Sequence, residues 1–308
     1  MLGRLLDATI LFSFDRSGFE RHARAFRPED LDVDLTGQRY AITGANSGIG
    51  FETARGLVQL GGTAVLLCRS VARGEAAAAV LRAEVPSANV EVVGLDVSEL
   101  DEVDAAVEAI GGQPLHGLIH NAGALLHHRE RTRTGMERLC ATHLAGPWRL
   151  SHRLRPALAA AHGRIIWVSS GGMYTQRLVV DGLDDRDDGP WDGVEVYART
   201  KRAQVVLAGE LDRHWPDVRV HAMHPGWADT PAVRVALPRF HARLQQRLRT
   251  PAQGADTVVW LAASPHVEGQ AGAFWFDRRK VSPYLVPGKR EAPEERERLW
   301  AWLTEVAG

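Results

Sequence analysis

Lysine is scarce in this 308-residue chain: of 37 basic residues, only Lys201, Lys280 and Lys289 are lysines, and arginine supplies the rest. Cysteine is scarcer, since Cys68 and Cys140 are the whole supply and neither belongs to a CxxC pair. That excludes a disulfide-stapled scaffold and suits a reducing, cytoplasmic setting in which both thiols act as small buried hydrophobes. No run approaches the ~20 apolar residues needed to span a bilayer. Net charge is close to absent as well, at a formal -1, so no global field draws the chain to nucleic acid or to an anionic membrane. Nothing resembles a nucleic-acid module. No metal is expected: His116 and His120 stand four apart without a thiolate or carboxylate cluster, which reads as packing.

What is present is a hydrophobic fraction of 45%, enough for a sizeable core in one α/β domain with extensions. Seven short apolar runs read as strands: RYAIT (39–43), TAVLLC (63–68), VEVVGLD (90–96), HGLIHNA (116–122), RIIWVSS (164–170), VRVHAMH (218–224) and GAFWF (272–276). Helical patterns at about 48–60, 71–85, 98–110, 133–161, 195–214 and 250–263 separate them. Apolar strands joined by helices imply a parallel sheet covered on both faces. The expected fold is therefore α/β, a Rossmann-type doubly wound parallel sheet of about seven strands, with ligands at the carboxyl ends of the strands.

The expected organisation is an N-terminal helical extension (1–36), a nucleotide-binding domain (37–276) with a basic substrate lid at 227–250, and a C-terminal extension (277–308). In MLGRLLDATILFSF, Arg4 precedes an apolar stretch that Asp7 interrupts, and no small-residue cleavage site follows. This favours an amphipathic helix packed on the domain over a secretory signal, with peripheral membrane contact as the alternative. An acidic connection spans 171–193, and the C-terminal EERERLWAWLTEVA offers Leu299, Trp302, Leu303 and Val306 for packing or homo-oligomer formation.

TGANSGIG (43–50) directly follows the first strand and opens the first helix. Glycines there permit a tight turn and close backbone approach, while helix N-terminal amides meet a pyrophosphate. Gly44, Asn46, Ser47, Gly48, Ile49 and Gly50 are the cofactor-binding candidates of this loop. At the end of the second strand stands Arg69, with no acid beside it. An acid would bind the ribose hydroxyls of NAD, whereas an arginine meets a 2′-phosphate, so NADP (NADPH) is expected in preference to NAD.

In order along the chain come TGANSGIG, LDV (95–97), NAG (121–123), VSS (168–170), YARTK (197–201) and HPGWADT (224–230). With these six motifs the chain resembles the short-chain dehydrogenase/reductase family, in the neighbourhood of its retinol dehydrogenases. The resemblance implies carbonyl–alcohol interconversion by hydride transfer, with Tyr197 as general acid/base and Ser170, rather than the adjacent Ser169, stabilising the substrate oxygen. It also implies a reason for one lysine: Lys201 would sit on the helical face of Tyr197, lower its phenol pKa and bind the nicotinamide ribose. Asp96 and Val97 would meet adenine, Asn121, Ala122 and Gly123 would line the ribose side, and Pro225, Gly226 and Thr230 would face the carboxamide or diphosphate. The family places Asn on the helix after NAG; here that position holds His143 or, shifted by one, Thr142, as a proton-relay candidate.

Trp167, Trp191 and Trp227 are expected near the pocket mouth, pointing to an apolar carbonyl or alcohol as the small-molecule substrate. Two other classes compete: a catalytically weak nucleotide-binding sensor or scaffold, and a non-redox lyase or epimerase on the same fold.

Overall fold

The computed structural model describes residues 10–184, 189–267 and 272–308. The expected N-terminal helix falls partly on 1–9, and the acidic connection partly on 185–188, outside the described residues. Among the described residues, eight strands form one sheet in the order β3-β2-β1-β4-β5-β6-β7-β8. They are β1 (Arg39–Thr43), β2 (Thr63–Cys68), β3 (Val90–Gly94), β4 (Gly117–His120), β5 (Arg164–Val168), β6 (Arg219–Met223), β7 (Phe274–Phe276) and β8 (Arg279–Lys280). The first seven pair in parallel, and β8 turns back antiparallel on β7.

The fold class is the one expected, with one strand more than the seven runs suggested. Lys280 and its neighbour carry no apolar run, so the eighth strand has no hydrophobic signature. A two-residue turn makes it: Asp277 and Arg278 both have positive φ, 49° and 56°, the backbone that closes a tight hairpin.

Period-two alternation divides the core between the two faces of the sheet. Val65, Leu67, Ile165 and Trp167 face one cluster with the helices Leu100–Ile110, Gly146–Ala160, Gly193–His214 and Pro293–Ala307. Leu66, Cys68, Ile166 and Val168 face the other, with Gly48–Gln59, Val71–Glu84 and Pro251–Ala263. Strand order reverses between β1 and β4, and the crevice beyond their carboxyl ends is where such sheets take ligands. The basic segment at 227–250 is not one helix: Pro231–Ala236 and Pro238–Leu244 are separated at Leu237, where Pro238 starts afresh. Among the described residues, no helix is long and apolar enough to cross a membrane.

Candidate active site

The loop after β1 is built for close approach. Gly44 and Gly48 have φ of +66° and +58°, and a Cβ on Gly44 would stand 3.1 Å from the Ala122 Cα. Ser47 precedes the Gly48–Gln59 helix in extended backbone without capping it through its side chain, and Ile49 packs inward. The backbone N–H groups of Ala45 and Asn46 donate to the Cys68 thiol, so a buried sulfur pins the loop from beneath. Burial pushes that thiol's pKa up to about 11.

Thr43 ties this loop to the next. Its hydroxyl accepts from the N–H groups of Asn121 (3.0 Å) and Ala122 (2.9 Å), while Asn121 Nδ2 donates to the Thr43 carbonyl at 2.9 Å. Asn121 thus acts here as a stitch between strand ends. Thr230 crosses over the same loop, its methyl 3.4 Å from where a Gly48 Cβ would lie, and its hydroxyl caps the Pro231–Ala236 helix at Val233 N.

At the end of β2, the Arg69 side chain is 75% exposed and reaches Asp96 only at 4.0 Å. Asp96 is otherwise engaged: Ser98 donates to Oδ1 from its backbone (3.1 Å) and hydroxyl (2.7 Å), and Arg138 donates to Oδ2 at 2.8 Å. Burial alone would raise the Asp96 pKa, but the Ser98 hydrogen bonds and the Arg138 and Arg69 charges outweigh it and hold it low. Arg138 carries no motif and is invisible without the fold. Val97 is buried, and its carbonyl lies where a Cβ on Gly146 would go.

β5 ends at Val168, so Ser169 and Ser170 lie beyond it and take different directions. Ser169 Oγ donates to the Lys201 carbonyl at 2.8 Å and is buried. Ser170 caps the turn Gly171–Thr175, with Gly172 N at 3.3 Å from its Oγ, and hydrogen-bonds the Tyr197 phenol. Asp192 caps the Gly193–His214 helix, accepting from Val194 and Glu195 N–H, and fixes the register that brings Tyr197 and Lys201 to one face.

Lys201 Nζ lies 5.7 Å from the centre of the Tyr197 ring and donates to the Val168 carbonyl at 3.0 Å. Burial lowers its pKa to about 7. Burial also raises the Tyr197 phenol above its ordinary value, opposed by the Ser170 hydrogen bond. The ammonium thus lies over the ring while donating to a carbonyl oxygen.

His143 sits in a π-helical turn, Ala141–Ala145, within what was expected to be an uninterrupted helix. Its ring is fully buried and meets the Tyr197 ring edge-on at 5.4 Å. The hydrogen bonds define its tautomer. Thr200 Oγ1 donates to the Tyr197 carbonyl (2.9 Å), so it accepts from His143 Nδ1–H (2.8 Å); Nε2 then accepts Ala124 N–H at 3.2 Å. Gln204 Nε2 donates to the His143 carbonyl at 2.9 Å. Burial, then the Lys201 charge, holds the imidazole pKa well below its usual value. Thr142 instead returns its hydroxyl to the Arg138 carbonyl at 2.7 Å, off the site. A Cβ on Gly123 would lie 3.4 Å from His143 Nε2 and 3.6 Å from Lys201 Nζ.

Of the three tryptophans expected at the mouth, Trp167 is not there. It is fully buried against the His120 ring at 4.3 Å, because its strand position points into the core with Ile165. Trp191 and Trp227 are partly exposed, and Trp227 meets Phe240 of the Pro238–Leu244 helix edge-on at 5.4 Å. After β6, Gly226 turns at φ +70° and the Pro225 carbonyl accepts from Arg249 at 3.3 Å. Thr43 and Thr200 lie inside quoted motifs without having been given a role, and Gln204 and Arg249 carried no sequence signal; all four support the site.

A family model described as short chain dehydrogenase matches residues 38–180. The chain is 41% identical over 301 residues to dehydrogenase/reductase SDR family member 12 of Bos taurus, covering 96% of this chain and 95% of that protein. It is 31% identical to retinol dehydrogenase 12 of Bos taurus over 284 residues, 90% of this chain and 88% of the relative. Among solved structures, L-sorbose reductase from Gluconobacter frateurii, complexed with NADPH and L-sorbose, shares the fold at a TM-score of 0.63 and 23% identity, over 83% of this chain and 99% of that one. The chain therefore belongs to the short-chain dehydrogenase/reductase family of oxidoreductases.

Proposed function

We propose that this protein is an NADP(H)-dependent oxidoreductase that interconverts a carbonyl and an alcohol. The observation that carries the reading is Tyr197 with the buried Lys201 on the same helical face, 5.7 Å from the centre of its ring, and Ser170 opposing the rise of its phenol pKa. The dinucleotide fits the residues present: a Cβ on Gly44 would press on Ala122 and one on Gly50 on Asn121 and the Gly44 carbonyl, so glycines let the loop close tightly at the start of the Gly48–Gln59 helix, and Arg69, 75% exposed, can reach a 2′-phosphate. Gly44 to Gly50, Arg69, Asn121 to Gly123, Pro225, Gly226 and Thr230 would hold the cofactor, with Asp96 and Val97 walling the adenine end. When bound, it supplies or takes up a hydride at the substrate carbon.

The chain's own residues handle the oxygen. As a carbonyl oxygen gains charge, the Ser170 hydroxyl donates a hydrogen bond to it and the Tyr197 hydroxyl gives up its proton. In the reverse direction Tyr197 takes the proton of the alcohol. Burial keeps Tyr197 protonated at neutral pH, the form that reduction requires. Lys201 holds the Val168 carbonyl, and with it the end of β5 that carries Ser170. His143 positions rather than relays, since both its ring nitrogens are committed to Ala124 and Thr200. Partly exposed Trp191 and Trp227 favour an apolar substrate.

The test is NADPH and NADH binding followed by nicotinamide absorbance across a panel of aldehydes, ketones and alcohols, with wild type beside Tyr197→Phe. Turnover that vanishes in the variant supports the reading. Binding without turnover on any carbonyl would favour a nucleotide-binding sensor on the same fold.

A further inference from the structure

Residues Ser13–Asp15 run beneath the substrate side of the site. Phe14 is 4% exposed, and its carbonyl accepts both Trp227 N–H (2.8 Å) and Arg249 Nε–H (2.9 Å). Its ring lies 4.5 Å from His224, 5.1 Å from Phe276 and, edge-on, 6.0 Å from Trp227. On the other side it fills the space of a missing side chain: a Cβ on Gly171, the residue after Ser170, would stand 2.6 Å from its Cε2.

One arginine locks this arrangement. Arg249 is fully buried with all five N–H donors engaged. Nε meets Phe14 O, Nη1 meets Pro225 O (3.3 Å) and Asp277 Oδ1 (2.6 Å), and Nη2 meets Ser13 O (2.9 Å) and Asp277 Oδ2 (2.9 Å). Asp277 also binds His22 Nδ1 at 2.6 Å, and Arg16 N donates to the Arg247 carbonyl at 2.8 Å. The N-terminal segment, the base of the lid and the turn after β6 are thereby one bonded unit.

We propose that Phe14 is a positioning residue for the substrate site, setting the spacing between the Ser170 loop and Trp227. A residue outside the motif-bearing domain would then help decide how a substrate seats against Ser170. The proposal rests on the reading of Ser170 as substrate-facing.

The test is a double-mutant cycle of Phe14→Leu and Gly171→Ala, assayed with octanal and NADPH, alongside hydrogen exchange of the free protein. Phe14→Leu should raise the octanal KM about fivefold while leaving NADPH affinity within about twofold. Gly171→Ala should lower kcat/KM about tenfold opposite Phe14 but under about threefold opposite the shorter leucine, as expected of residues in contact. Independent effects in the cycle, or NADPH affinity falling in step with octanal, would overturn the proposal. If wild type reduces no carbonyl, the functional reading fails and exchange alone decides. Faster exchange in Phe14→Leu at 169–176 and 225–229, with 63–68 unchanged, upholds the positioning role, and no change at those segments refutes it.

Discussion

Lys201 Nζ and the Val168 carbonyl oxygen are 3.0 Å apart in a site that leaves the lysine 3% exposed. A single neutral acceptor does not repay the hydration an ammonium loses, so the lysine pKa falls to about 7 from its ordinary 10.5. In the unfolded chain the lysine stays protonated up to its ordinary value. Between those two pH values the unfolded state binds more protons, and stability rises with pH. Lys201→Met removes this cost with similar volume. The variant should therefore be more stable than wild type at pH 7, with the difference in Tm shrinking toward zero near pH 10. A gap that stayed constant across that range would show that the lysine does not change protonation there.

Tyr197 has the opposite sense. Its pKa lies above the ordinary phenol value, so the phenol form persists through neutral pH and the phenolate accumulates only at high pH. Alcohol oxidation, which needs the base form, should climb steadily between pH 7 and 10, while carbonyl reduction should not. Tyr197→Phe should lower kcat by about 10²–10⁴, the usual worth of a general acid/base. Initial rates in both directions against pH check both statements.

The parallel sheet, its helices and the crevice end were legible because apolar runs and helical periodicity are local patterns. The order of the six motifs was likewise local. What escaped was non-local or lacked periodicity. The β8 hairpin depends on the positive φ of Asp277 and Arg278, and neither is a residue whose type demands that backbone. Trp167 alternates inward with Ile165, a matter of which sheet face is covered, which the run RIIWV alone does not tell. The choice between Ser169 and Ser170 was a family expectation; the structure adds that Ser169 turns to the Lys201 carbonyl. The π turn at Ala141–Ala145 brings His143 to Tyr197 and leaves Thr142 on the Arg138 carbonyl, and no composition marks it.

His143 is saturated by Ala124 N–H and Thr200, with burial and Lys201 opposing its protonation. A relay histidine would add an ionisation of its own to the rate, one that disappears with the side chain. With Lys201 titrating at about 7, the wild-type kcat profile carries the limb of the lysine and none from His143. His143→Ala should lower kcat about tenfold by leaving the Ala124 N–H without its acceptor, without changing the shape of the profile. Loss of an ionisation limb in the variant would restore the relay role.

Arg69 contributes little to the folded protein, being 75% exposed and 4.0 Å from an Asp96 that Arg138 already satisfies. Its value is expected in cofactor choice. Arg69→Ala should raise KM for NADPH at least about tenfold, the worth of a lost charge-assisted contact, and leave KM for NADH within about twofold. The Tm should hardly move. Equal effects on both cofactors would remove Arg69 from 2′-phosphate recognition.

The C-terminal segment is fastened to the Tyr197 helix by a buried ion pair. Arg202 and Glu291 have side chains 1% and 0% exposed, with Arg202 Nη2 2.9 Å from Glu291 Oε2, and the same arginine donates to the Pro283 carbonyl at 2.7 Å. Tyr284 Oη and Arg296 complete the carboxylate's partners. Burial would raise the Glu291 pKa, but Tyr284, Arg202 and Arg296 together depress it below 4.5. A depressed carboxylate gives stability that is present above its unfolded pKa and lost as pH falls through the folded value. Urea unfolding should thus weaken below about pH 4.5 in wild type, and Glu291→Gln should flatten that dependence. At pH 7, Glu291→Ala should cost about 3–5 kcal/mol, because Arg202 keeps its burial and loses its counter-charge. Pairing Glu291→Leu with Arg202→Met should recover most of that loss, since no charge is then stranded. If the single and double variants are equally destabilised, the pair is not what holds the segment on the helix.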